Sequence, residues 1–103
     1  MEKKLFSKDM QLWRRIDEAL YFAWDPIGVS KYPEIRDEYE RYVPKIYMMV
    51  KARADAKDIA DQLCKFAHEE MDIEVNSSML KKNVALAEYL LKCGEIIDRK
   101  IEN

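Results

Sequence analysis

Only two glycines and three prolines punctuate 103 residues, and that scarcity constrains the fold more than any other feature. A sheet built from many short strands needs tight turns, and those turns draw on glycine and proline at defined positions. Long helices need such residues only near their ends. The apolar pattern agrees. Leu12, Trp13, Ile16, Leu20, Ala23 and Trp24 recur at spacings of three and four, which lines them along one helical face. The chain is 49% hydrophobic, enough for a packed core, and its length suits a single domain over residues 1–103.

Four helical segments follow from the periodicity. The first takes Ser7 as N-cap and Asp9 in its first turn, where the helix dipole favours an acid. Asp25-Pro26-Ile27-Gly28 stops it, because the residue before a proline avoids the helical region and Gly28 can adopt a positive φ. The second starts at Pro33 and carries Ile35, Tyr39, Tyr42, Val43, Ile46, Met49 and Val50 as its stripe. Pro44 falls inside that stripe, so this helix is either kinked there or split into two short ones. Asp55 opens the third, with Asp58 as a variant of the capping box and Ile59, Leu63, Phe66, Ala67 and Met71 on the buried face. Residues 69–76 read as its end and an acidic loop. Ser77 or Ser78 caps the fourth, which is expected to bury Leu80, Val84, Ala87, Leu91 and Ile97, with Ile101 as its last contact. Gly94 costs this helix about 1 kcal/mol relative to alanine, so a frayed tail is expected. Short connections favour antiparallel neighbours, and the fold class expected is all-α, a compact bundle of four helices.

The 18 basic and 20 acidic residues leave a formal charge of -2, which lacks the basic excess of a nucleic-acid binder. No run approaches the roughly 18 apolar residues of a membrane span. The basic start, Met1-Glu2-Lys3-Lys4-Leu5-Phe6-Ser7, has no apolar stretch behind it as a signal peptide would. A cytoplasmic domain is expected, with no membrane and no direct nucleic-acid contact. Cys64 and Cys93 are isolated within helical patterns and read as small core hydrophobes in a reducing compartment.

No constellation supplies convincing catalytic chemistry. His68-Glu69-Glu70-Met71-Asp72 begins like the zinc-protease pattern, but Asp72 stands where the second imidazole belongs. His68 is the only histidine, so a solvated helix end is the better reading, and neither metal nor cofactor is expected. Ser30, Ser77 and Ser78 fall in loops or caps without a glycine-flanked elbow. Asp37 and Glu38 suit an acid/base pair on type alone, and suit the wet side of a helix better.

Two surface features suggest partner binding instead. Tyr21, Trp24, Tyr32, Tyr39, Tyr42 and Tyr47 concentrate large rings around the first turn and second helix, as core or as the lining of a groove. Glu34, Asp37, Glu38 and Glu40 form one acidic cluster, and Glu69, Glu70, Asp72 and Glu74 form another. Such clusters are either a solvated face or a field that steers a basic partner.

Trp24-Asp25-Pro26-Ile27-Gly28-Val29, then Pro33, then Asp37-Glu38-Tyr39-Glu40-Arg41-Tyr42-Val43-Pro44, resembles a family of small all-helical bacterial proteins. Members encoded beside polymorphic toxins are immunity proteins, including those of contact-dependent growth inhibition. Ile59-Ala60-Asp61-Gln62-Leu63, Glu69-Glu70-Met71 and Ala87-Glu88-Tyr89-Leu90-Leu91 extend the resemblance, which covers roughly residues 10 to 92. Where the family often has glycine after the methionine, this chain has Asp72. The resemblance implies no catalytic residues. It implies an immunity protein whose partner is a cognate toxin C-terminal domain, a nuclease being one candidate; a helical adaptor or homodimer without catalytic activity is the alternative. It also implies a structural role for Trp24, Asp25, Pro26, Gly28, Tyr39 and Tyr42, with Asp25 capping a nearby helix or bonding a tyrosine hydroxyl.

Overall fold

The computed structural model describes residues 7–28 and 36–99. Among them there is no strand, and four α-helices fold into a compact all-α globule. α1 spans Lys8–Ala19 and runs on through a π-helical turn at Leu20–Trp24. A 3-10 turn at Glu40–Tyr42 leads into α2, Val43–Lys51. α3 spans Ala56–Met71 and α4 spans Ser77–Arg99. α3 and α4 form the most extensive helix pair, and α1 packs next most extensively on α4. No described helix is long and apolar enough to cross a membrane.

The helix ends follow local chemistry, with two corrections. Ser7 caps α1 as expected, its Oγ accepting from the Met10 N–H at 3.3 Å. Pro44 lies in the first turn of α2, where its missing N–H has no helical partner to lose. The expected second helix is therefore split at this point, with turns at 36–39 and the 3-10 segment ahead of it. The proposed start at Pro33, with Ile35 and Glu34, lies outside the described residues, as do Ser30, Tyr32 and Ile101.

The first correction concerns the cap of α4. Asn76, rather than Ser77 or Ser78, accepts from the Met79 N–H at 2.8 Å. An asparagine side chain satisfies the third orphan N–H of a helix as well as a serine does, so the sequence offered three candidates and the loop geometry chose. At the end of α3, Asp72 has φ 56 and ψ 39, and the Ile73 N–H reaches back to the Ala67 carbonyl at 2.9 Å. This left-handed closure is the position glycine adopts most easily, and aspartate is among the few other residues that tolerate it.

The second correction concerns which faces are buried. α1 buries Leu12, Ile16, Ala19, Leu20, Tyr21 and Trp24, while Trp13 and Ala23 stand exposed. α3 buries Ile59, Ala60, Leu63, Cys64 and Ala67, close to expectation. α4 is rolled: it buries Asn83, Ala87, Leu90, Gly94 and Ile97, and leaves Leu80, Val84 and Leu91 half-buried. The roll is less than one residue's rotation of about 100°. Gly94 explains part of it. A Cβ built there would sit 3.0 Å from Val50 Cγ1 and 3.9 Å from Leu12 Cδ1, so α4 lies close against α2 and α1 and even a methyl group would press on Val50. Instead of loosening a frayed tail, the glycine lets the helices close, and α4 continues through it to Arg99.

Candidate functional site

The segment Trp24 to Gly28 organises one end of the protein. Its backbone tightens as α1 ends: the Asp25 N–H donates to the Leu20 carbonyl, five residues back, at 3.0 Å. Asp25 takes φ 29, and Gly28 takes φ 75 while its N–H reaches the Asp25 carbonyl at 3.3 Å. The Tyr39 hydroxyl then fastens this turn to the chain ahead of α2. It donates to Asp25 Oδ1 at 2.7 Å and accepts from the Ile27 N–H at 3.1 Å. Of the two roles expected for Asp25, the bond to a tyrosine hydroxyl is formed.

Trp24 is the hub of an aromatic cluster, with ring centroids 5.3 Å from Tyr39, 5.8 Å from Tyr42 and 6.5 Å from Phe66. Tyr42 and Phe66 stack at 4.7 Å. Trp24, Tyr39 and Tyr42 are buried, so these rings join α1, the 3-10 turn and α3 as core, and Trp24 also borders an open cleft. Tyr21 is buried as well, with the Arg36 guanidinium 4.2 Å above its ring and bonded to both carboxylate oxygens of Asp17 at 2.9 and 3.4 Å. Tyr47 is half-buried and pairs with exposed Trp13 at 5.2 Å.

The same turn forms one wall of a cleft of about 640 Å³. Ala23, Trp24, Asp25 and Pro26 face the first part of α4 across it. On α4, Met79, Asn83 and Leu86 fall on one row of the helix, and Ser78, Lys82 and Ala85 on the next row outward. Asn83 is 4% exposed, and among the described residues its hydrogen bond runs from Nδ2 to Cys64 Sγ at 3.3 Å. A carboxamide offers two N–H donors and two acceptor lone pairs, so part of its capacity is unused there, and the Trp24 indole Nε1 on the facing wall is buried with no hydrogen-bond partner among the described residues. Lys82 is exposed and makes no ion pair among the described residues. Of these cleft residues on α4, the sequence pointed to Ser78, as a possible cap, and to none of Met79, Lys82, Asn83, Ala85 and Leu86. The available signal was Asn83 itself, a polar residue four before Ala87 and seven before Leu90 in an otherwise apolar row.

The acidic residues occupy a second surface. Asp37, Glu38, Glu40, Glu69, Glu70, Asp72 and Glu74 are all exposed, while Glu34 lies outside the described residues. Arg41 pairs with Glu70 at 3.0 Å and lies 5.3 Å above the Tyr42 ring. Burial raises the Tyr42 hydroxyl pKa above its ordinary value; nearby Glu70 and Glu38 add to the rise and Arg41 opposes it. The Arg41–Glu70 pair ties the segment that carries Glu40 to the end of α3 that carries Glu69 and Glu70. Asp37, Glu38, Glu40, Glu69, Asp72 and Glu74 form no ion pair among the described residues.

His68 is exposed, with Nδ1 3.4 Å from the Ile73 carbonyl oxygen. Among the described residues, no three His, Cys, Asp or Glu side chains come together in a metal-holding arrangement. Comparison of the chain with family models, curated proteins and solved structures gives no match.

Proposed function

We propose that this protein works in the cytoplasm by stoichiometric binding to another protein, as an immunity protein that neutralises the basic domain of a cognate toxin. One observation carries the reading: Asp37, Glu38, Glu40, Glu69, Asp72 and Glu74 are exposed and form no ion pair among the described residues. An acidic surface of this kind raises the rate of encounter with a positive partner, and a nuclease domain is positive where it meets phosphate. The resemblance carried by Trp24-Asp25-Pro26 and Asp37-Glu38-Tyr39 points to the same class of partner.

The test is co-expression of the tagged protein with its neighbouring genes. A one-to-one complex with a toxin C-terminal domain is the expected result. Combined Glu38→Lys, Glu69→Lys and Glu74→Lys should then slow association by about tenfold or more at low salt, with helix content unchanged. Recovery of the protein without a toxin domain rejects the immunity reading. An unchanged association rate removes the acidic surface from the encounter.

A second reading, a helical adaptor or homodimer, draws on the exposed apolar residues of α1 and α2. Met10 and Trp13 on α1 are 42% and 39% exposed, and Met48 on α2 is 67% exposed. A mass that rises with protein concentration in the absence of any partner would favour it.

A further inference from the structure

We infer that the cleft between the Trp24–Pro26 turn and the start of α4 is a binding site for a small organic carboxylate with an apolar body. This goes beyond the protein-binding reading and stands apart from it.

Three independent features converge. The first is space: about 640 Å³ falls within the range of about 300–1,000 Å³ typical of small-molecule sites. The second is the buried amide of Asn83. A core position normally pairs every polar group, and an amide that is 4% exposed with one bond to a thiol is a poor solution for stability alone. Because Asn83 lines the cleft, the rest of its hydrogen-bonding capacity is open to whatever enters. The third is charge. Ser78 and Lys82 are four residues apart on one side of α4, and Lys82 has no ion pair among the described residues. Asn76 satisfies the Met79 N–H, which leaves the earlier N–H groups of the helix start, at Ser77 and Ser78, to favour an anion.

The helix rows sort these roles. The inner row of Met79, Asn83 and Leu86, opposed by Trp24 and Pro26, gives an apolar slot with one polar anchor. The outer row of Ser78 and Lys82 holds the cation and the free N–H groups at the rim. A ligand that fits both rows carries its carboxylate to the rim and its hydrocarbon part inward, with Asn83 hydrogen-bonding at the junction.

The test uses the full chain, isotope-labelled, titrated with octanoate and with hydrocinnamate, and octylamine as the cation of matched shape. Saturable amide shifts in residues 78–86 and at the Trp24 indole N–H are expected with the carboxylates and not with octylamine. Lys82→Gln, at an exposed position, should weaken binding by about tenfold, whereas Lys81→Gln, which does not line the cleft, should leave it unchanged. Three results overturn the assignment: no saturable shifts into the millimolar range, equal response to octylamine, or carboxylate binding indifferent to Lys82→Gln. None of these depends on a toxin being found, so this assignment and the immunity reading fail separately.

Discussion

Along α4, the C-terminal half is packed so closely at Gly94 that an added methyl group would press on Val50, whereas the N-terminal half stands beside about 640 Å³ of open cleft. Both halves depart from the apolar pattern at one residue. At Gly94 the departure is a missing side chain, and it brings Val50 and Leu12 up against the helix. At Asn83 it is a polar side chain in a buried row, with Cys64 as its only hydrogen-bond partner among the described residues. The difference teaches how to read a breach of pattern. One that closes space serves packing, and one that leaves buried polar capacity beside space points to something outside the chain.

Substitutions at these sites break or sharpen that comparison. Gly94→Leu should have the largest effect, destabilising the fold by about 3 kcal/mol because the new side chain must displace Val50 and Leu12. A urea midpoint that does not fall would show that α4 can shift away, and the contrast between its halves would collapse. Tyr39→Phe comes next. Its hydroxyl joins Asp25 Oδ1 to the Ile27 N–H, and its loss should cost about 1.5 kcal/mol. It should also loosen the turn that walls the cleft, seen as faster amide exchange at Ile27 and Gly28. Unchanged exchange would mean that the aromatic cluster alone holds the turn.

Asn83→Leu should act in the opposite direction and least strongly, stabilising the fold by about 1 kcal/mol while abolishing carboxylate shifts in the cleft. Leucine has room to extend toward the cleft and leaves no amide unpaired. A destabilised variant would show that Asn83 is structural after all, and would remove the contrast with Gly94.

Much of the fold was legible because helix-forming chemistry is local. Ser7 as a cap, the stop at Asp25-Pro26, a start of α3 at Asp55 (though without the expected side-chain capping bond) and a helix end and loop within residues 69–76 each depend on residues within a few positions of one another. Pro44 was legible as an interruption, but choosing a kink or a split required knowing whether a turn preceded it. The roll of α4 was not legible. Leu80, Val84 and Leu91 make as good a stripe as Leu90 and Ile97, and periodicity ranks rows only by apolar content. For the same reason Trp13 was placed in the core and stands exposed.

The acidic residues show the same division. Their types and clustering were visible in the sequence, but Arg41 answering Glu70, 29 residues on, is a relation across folded elements.

The sequence by itself determined that this chain is helical and where most of its helices begin and end, and it offered two roles for Asp25, without naming the tyrosine that bonds it. Spacing and capping act over one or two turns, and that information is complete in the local chain. Only the tertiary structure decided which row of α4 faces inward and where space remains. Helices settle against one another by fitting ridges and grooves, so a missing Cβ at Gly94 can outweigh an extra leucine elsewhere.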